Sequence, residues 1–356
     1  MSARKNADPV RILILGTGAM AQRHFEFFSA NPDSVVVAGI DRDPNRLAGF
    51  CEHNGLGQGF NDLEPAIAWG QFDAVANVTP DPVHKATTLR LAAAGLPVFC
   101  EKPLAENYAD ALEMTHAMET RGLINMVNLR YRAVPEIAQA AKMVAEGAIG
   151  QVRHVQAAYL QSWLVGNQWG DWRTEPRWLW RLSSRHGSKG VLGDIGIHIL
   201  DTATFVSGLK PTSVHCRLHT FDKAEGNRIG DYELDINDSF VMSLQLEGGA
   251  LAAIHASRFA TGYANAKQVG VYGTTGGLEI GFESEVSSLR ACTGDDIHTQ
   301  TWRPVECPPV PLTYDDFVTA VKTGVNGEPS FRHAADLQRV LDLCFVSDAD
   351  GMTHEI

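Results

Sequence analysis

Asp194 and His198 stand four residues apart in Gly193-Asp-Ile-Gly-Ile-His198, and Ile199, Leu200, Thr202 and Phe205 follow at helical spacing. On an α-helix, positions i and i+4 share a face, so carboxylate and imidazole are expected to meet there. A carboxylate that fixes the tautomer and orientation of an imidazole makes a general base. On a solvated helix such a pair is worth only about 0.2–0.5 kcal/mol. Here the small, apolar neighbours Val191, Leu192, Ile195 and Ile197 speak for a cleft wall rather than a free surface. Just upstream, Trp163, Trp169, Trp172, Trp178 and Trp180 are interleaved with Arg173, Arg177 and Arg181. Flat apolar faces beside guanidinium donors suit a sugar or cyclitol ring, whose C–H face stacks while its hydroxyls hydrogen-bond. Core packing and a subunit contact explain the same mixture. A third reactive group is Lys102, a lone cation in Glu101-Lys-Pro103 at what reads as a strand end.

The elements that must position these groups begin with Val10–Leu15, an apolar run typical of a strand buried on both faces of a parallel sheet. Gly16-Thr17-Gly18-Ala19-Met20-Ala21 follows at once, and Ala21 to Phe28 reads as a helix. In a strand–turn–helix setting, this G-x-G-x-x-A is a dinucleotide fingerprint. Gly16 permits the turn, Gly18 lets backbone approach a pyrophosphate, and Ala21 allows close helix–strand packing. A second strand, Val35–Ile40, ends in Asp41, where an acid accepts hydrogen bonds from ribose hydroxyls. That charge favours NAD over NADP, while the adjacent Arg42 leaves NADP possible. Strands at Phe72–Val78, Leu96–Cys100 and Leu123–Val127 alternate with helices at Pro82–Ala94 and Tyr108–Glu119. This is a doubly wound sheet, with ligand expected at the carboxyl ends of its strands. Thr79-Pro80, Glu101-Lys102-Pro103 and Asn128 fall at those ends.

From about residue 126 the pattern changes. A helix over Ala133–Glu146 precedes a long strand, Val152–Trp163. Further strands are expected at Ser213–His219, Ser239–Glu247, Ala250–Phe259, Gln268–Tyr272 and Leu278–Phe282. Gly-rich hairpin signals at Glu247–Ala250 and Gly273–Gly277 imply a mainly antiparallel sheet. Helices at Tyr314–Lys322 and Ala334–Val346 close the chain. The expected division is a nucleotide-binding domain over 1–125 and an α+β domain over 126–356. At 356 residues, 44% hydrophobic and 20% charged, the composition excludes disorder. The net charge of −12 argues against a nucleic-acid or anionic-membrane partner. Six scattered cysteines, with no C-x-x-C pair, read as reduced thiols, and no metal site is expected. No apolar run approaches a membrane span. Met1–Pro9 is polar and lacks a signal-peptide core, so a cytoplasmic location is expected.

Taken together, the glycine turn, Thr79-Pro80 with His84, Glu101-Lys102-Pro103 and Gly193-Asp194-Ile-Gly-Ile-His198 resemble the glucose–fructose oxidoreductase/inositol dehydrogenase (Gfo/Idh/MocA) family. The resemblance runs over essentially the whole chain. It implies an NAD(P)-dependent sugar or polyol dehydrogenase with Lys102, Asp194 and His198 as the catalytic group. Coenzyme contacts are implied for Gly16, Thr17, Gly18, Ala19, Met20, Asp41, Arg42, Thr79, Pro80, His84, Glu101, Lys102 and Asn128. Substrate contacts are expected from Gln161, Trp163, Trp180 and Arg181 beside the catalytic three. The strand after Asn237 is implied to build a sheet used in homodimer or homotetramer packing.

The expected chemistry is hydride transfer between a ring carbinol and nicotinamide. Lysine, with a pKa near ~10.4, needs depression costing about 4 kcal/mol to act as base at neutral pH, whereas histidine, near ~6.5, needs almost none. His198 is therefore expected to be the base, with Asp194 orienting it and Lys102 a proton-bearing stabiliser of alkoxide charge. An NAD-assisted glycosidase and a non-catalytic dinucleotide sensor of the same fold are the rival readings.

Overall fold

The computed structural model describes residues 8–284 and 286–356; most of the polar stretch Met1–Pro9 lies outside the described residues. The chain forms two compact units. One runs up to Arg130 and also takes in Pro311–Gln338; the other holds Tyr131–Val310 and Arg339–Ile356.

In the first unit, strands and helices alternate: β1 (Val10–Leu15), α1 (Ala21–Ala30), β2 (Ser34–Ile40), α2 (Pro44–His53), β3 (Gly59–Phe60), α3 (Leu63–Trp69), β4 (Ala74–Asn77), α4 (Asp81–Ala93), β5 (Val98–Cys100), α5 (Tyr108–Glu119) and β6 (Asn125–Val127). The six strands are parallel in the order β3-β2-β1-β4-β5-β6. The order reverses direction between β1 and β4, which is where a doubly wound sheet binds its ligand. β4, β5 and β6 are buried throughout, as strands covered on both faces must be. Helix α3 was not foreseen. Asp43 caps α2 by accepting from the Asn45 and Arg46 amides, a start signal that was legible beside Pro44.

The second unit contains α6 (Pro135–Ala145), β7 (Val152–Leu160), α7 (Pro176–Leu179), α8 (Ile197–Ser207), β8 (Pro211–His219), β9 (Arg228–Ile229), β10 (Tyr232–Glu233), β11 (Ser239–Leu246), β12 (Leu251–Ser257), β13 (Ala266–Gly273), β14 (Gly276–Glu283), β15 (Val286–Thr293), α9 (Asp296–Thr299) and β16 (Arg303–Pro304). After these, α10 (Thr313–Thr323) returns to the first unit. α11 (Phe331–Asp350) is shared between the units, and β17 (His354–Glu355) ends the chain.

Nine strands form one open sheet, β16-β15-β14-β13-β7-β12-β11-β8-β17, antiparallel except for the parallel pair β7–β12. Along β11 the alternation is strict: Phe240, Met242, Leu244 and Leu246 are buried, while Val241, Ser243 and Gln245 are exposed. Helix α8 packs against β7 and β13, and α6 against β14 and β15.

The boundary expected after residue 125 differs from the compact units for a packing reason. Tyr314 and Phe317 of α10 share one buried cluster with Phe28 and Phe99. Among the described residues, no helix is long and apolar enough to cross a membrane, and the six cysteines are free.

Candidate active site

In the first unit the glycine turn lies at the end of β1. Gly16 has φ +91°, and a Cβ there would sit 2.9 Å from the Val78 carbonyl carbon and oxygen, so only glycine fits where β1 passes the end of β4. At Gly18 a Cβ would meet nothing within 4 Å. That side of the turn is open to an approaching ligand. Ala19 and Met20 are exposed ahead of α1, whose first amides face the same end.

The Thr17 amide and hydroxyl both donate to Asp41 Oδ2, at 2.9 and 3.0 Å, and the Asp43 amide donates to Oδ1 at 2.9 Å. Burial alone would raise the Asp41 carboxyl. The Asp43 and Thr17 amides, the Thr17 hydroxyl and the Arg46 charge outweigh it and hold the group below its ordinary value. An ionised acceptor at the end of β2 and an open glycine turn at the end of β1 fit the adenosine half of a dinucleotide. Arg42 is exposed, and Arg46, which the sequence did not single out, reaches Asp41 Oδ2 at 3.5 Å.

At the ends of β4, β5 and β6 the expected polar groups are joined by residues the sequence did not reveal. Glu101 Oε1 accepts from Asn128 Nδ2 at 2.7 Å and lies 2.7 Å from Nε2 of His24, while the Lys102 amide donates to Oε2 at 3.2 Å. Asn128 in turn donates to the Tyr314 hydroxyl and accepts from Thr313. Burial would raise the Glu101 carboxyl, but His24, Asn128 and the Lys102 charge bring it down to about 2. His84, expected against the coenzyme, is fully buried. Its ring nitrogens face the Thr79 carbonyl on one side and the Pro103 and Leu104 carbonyls on the other. Thr79 donates through its hydroxyl to Asn77, and Pro80 leads into α4.

In the second unit Asp194 lies in a π-helical turn, Leu192–Gly196, that runs directly into α8 and His198. The helix was expected; the wider first turn was not. π-turns inside helices recur at functional sites. Asp194 Oδ2 accepts from Arg181 Nη1 at 3.1 Å and from Arg258 Nη2 at 3.0 Å. Arg258 is fully buried, donates also to the Arg181 carbonyl, and lies over the Trp163 ring. Desolvation lowers its pKa and the Asp194 charge raises it, the first prevailing.

His198 is buried with its ring edge-on to Tyr131 at 4.9 Å. Behind it runs an ordered hydrogen-bond chain. Tyr159 donates to Asn265 Oδ1, so its 2.9 Å contact with Tyr131 requires the Tyr131 hydroxyl to donate. Gln161 donates to the same Asn265 oxygen and accepts from Trp163 Nε1. The buried Lys267 ammonium sits over the rings of Tyr131, Tyr159 and Phe282 at 4.2–4.4 Å.

Of the expected substrate residues, Trp163 belongs to a buried cluster with Trp172 and Leu179, whereas Trp180 is 39% exposed beneath the Arg181 guanidinium. Core packing thus accounts for part of the tryptophan run. Arg258, Lys267 and Asn265 went unnoticed because their partners are distant in sequence. A lone arginine closing the apolar β12 was the available signal.

Residues 10–129 match the model described as an oxidoreductase family with an NAD-binding Rossmann fold, and residues 137–279 match the GFO/IDH/MocA C-terminal domain. The chain is similar to levoglucosan dehydrogenase of Pseudarthrobacter phenanthrenivorans, 25% identical over 320 residues covering 83% of this chain and 80% of that one. It is also similar to inositol 2-dehydrogenase of Rhizobium meliloti, 29% identical over 290 residues covering 80% and 79%. The crystal structure of an oxidoreductase domain protein from Kribbella flavida superposes with a TM-score of 0.85 at 29% identity, covering 98% of this chain and 99% of that one.

Proposed function

This chain belongs to the GFO/IDH/MocA family of oxidoreductases, with an NAD-binding Rossmann domain, and on that premise we propose that it interconverts a secondary alcohol and a ketone on a sugar, anhydrosugar or cyclitol. His198 is the acid/base, Asp194 the carboxylate that orients it, and Lys102 an ammonium that donates to the substrate oxygen. The dinucleotide, held by the Gly16–Met20 turn and Asp41, supplies the hydride acceptor or donor.

The observation that carries the division of labour is the Glu101 carboxylate. It is held ionised at about 2, and the Lys102 charge is among the interactions that hold it there. The amine beside that carboxylate is therefore assigned to stabilise developing alkoxide charge, and proton removal to histidine, a residue type whose ordinary pKa lies near neutrality. Support for the second half of the site comes from Asp194, fixed by two guanidiniums, and from the Tyr131 ring that packs His198 edge-on. Exposed Val241 and Leu251 on one face of the nine-stranded sheet support a homo-oligomer.

The test is NAD and NADP reduction over levoglucosan, inositol and a panel of aldoses, followed through NADH absorbance. Net NADH supports a dehydrogenase. Glycoside cleavage without it supports the glycosidase reading, and neither outcome leaves a sensor. Lys102→Ala and His198→Ala should each lower turnover by roughly 100-fold or more, with NADH affinity by fluorescence nearly unchanged. Turnover retained in either variant overturns the roles assigned.

A further inference from the structure

We infer that two buried histidines from different helices, His24 of α1 and His84 of α4, are the positioning residues of Lys102, gripping the chain on either side of it. The inference rests on the assignment of Lys102 to the reaction. His24 holds the residue before the amine: its Nε2 lies 2.7 Å from Glu101 Oε1, and Glu101 Oε2 accepts the Lys102 amide. His84 holds the residues after it: its Nδ1 lies 3.0 Å from the Pro103 carbonyl oxygen and 3.2 Å from that of Leu104. The far side of the His84 ring, Nε2, is 2.8 Å from the Thr79 carbonyl oxygen at the end of β4. The Lys102 turn is thereby tied to the helix that follows the glycine turn and to the strand end beside Gly16.

Packing alone does not account for these residues. His24 is fully buried among the rings of Phe28, Phe99 and Tyr314, a place where phenylalanine would bury as much surface with no polar cost. Its Nδ1 has no hydrogen-bond partner among the described residues, so its polar contact is the one at Nε2, whose N–H donates to the Glu101 carboxylate. The Glu101 side chain is only 13% exposed, and a carboxylate so enclosed stays ionised where donors and cations surround it. The groups that face it are His24, Asn128 and Lys102, while Tyr314 and Cys100 feel its charge and are both pushed up, chiefly by burial. Removing the His24 donor would free Glu101 Oε1 and loosen the carboxylate whose other oxygen holds the Lys102 amide. His24 thus acts on the amine through Glu101, and His84 acts on it through the backbone.

Competitive acetylation at one fixed pH, read by mass spectrometry of the Lys102 peptide, reports how firmly the amine is held without any substrate. His24→Leu should raise the Lys102 acetylation rate in the same direction as Glu101→Gln, because the carboxylate that holds the turn is loosened, and His24→Gln, which restores a donor at the Nε2 position, should bring it back. His84→Asn keeps a donor at the Nδ1 position, whereas His84→Gln keeps only the one facing Thr79. Assayed with whichever of levoglucosan, inositol or the aldoses the enzyme turns over fastest, His84→Gln should lose kcat about 10- to 100-fold with KM for NAD little changed. His84→Asn should retain most of it. Each pair loses one grip at one site, so a shared loss of stability cancels in the comparison. An unchanged Lys102 acetylation rate in His24→Leu, or equal kcat in the two His84 variants, overturns the inference. Lys102→Ala, run alongside, separates the two levels: full turnover there removes the assigned role of Lys102, whatever the histidines do.

Discussion

Arg258 carries its charge where solvent does not reach, and its contacts explain why it is tolerated there. One nitrogen serves the Arg181 carbonyl, another serves Asp194, and the plane covers Trp163. Removing one member of a buried ion pair costs more than the pair contributes, because the remaining charge loses its compensation. Arg258→Leu should therefore lose about 3 kcal/mol, measured by urea unfolding. Arg258→Lys should fall between that variant and the parent, since a single ammonium cannot bond both oxygens in the same geometry. A leucine variant as stable as the parent would refute this. Glu101 makes a second prediction, in pH. Its folded value, about 2, lies below the ordinary 4.5. Its contribution is therefore complete above the ordinary value and is lost as pH falls towards the folded one. The displacement corresponds to about 3 kcal/mol. In unfolding series from about pH 6 to about pH 2, the stability gap between the parent and Glu101→Gln should narrow with acid. A constant gap would show that the carboxylate is not selectively stabilised.

The π-turn ahead of α8 depends on a brace from outside the helix. Gly190, at φ +71°, approaches the Asn237 side chain so closely that a Cβ would lie 2.6 Å from it. The Leu192 amide donates to Asn237 Oδ1 and the Val191 amide to the Asn237 carbonyl. The entrance to the helix that carries Asp194 and His198 is thus fixed by Asn237, just ahead of β11. Asn237→Ala leaves the buried Leu192 amide without its acceptor, at a cost of about 1–2 kcal/mol. It should also lower kcat while NADH binding persists, read by thermal melting, steady-state kinetics and NADH fluorescence. Unchanged kcat in a destabilised variant would make the brace structural only. This part of the site was half legible. The Asp-x-x-x-His spacing marks a helix face because side-chain periodicity is local. The brace could not be read, since Asn237 lies 45 residues from the amide it accepts. Arg258, 64 residues from Asp194, was hidden for the same reason.

At the scale of the molecule, the first sheet was readable because strands buried on both faces leave uninterrupted apolar runs, each followed by its helix. The second sheet was readable from its hairpin glycines, but the parallel pairing of β7 with β12 was not, since only long-range contacts set it. The same limit explains the missed return of Pro311–Gln338 to the first unit. Nothing local in α10 says which core it joins. Tyr314 lies edge-on to Phe28 at 5.1 Å, and Phe317 lies 5.3 Å from Phe99, all four being buried. The nucleotide-binding sheet is therefore not an autonomous N-terminal segment, although its strands are all contained within one. Each aromatic buries roughly 150–250 Å². At about 25 cal/mol per Å², Tyr314 and Phe317 together contribute on the order of 10 kcal/mol, as much as a whole domain's net stability. A chain ending at Arg130 should consequently keep much of its helical circular dichroism, lose a cooperative melt and bind a hydrophobic dye. The same residues joined to 311–338 should regain the cooperative transition. If the shorter chain melts as sharply as the longer one and binds no dye, the aromatic cluster is dispensable, and the first unit would close without the segment that returns to it.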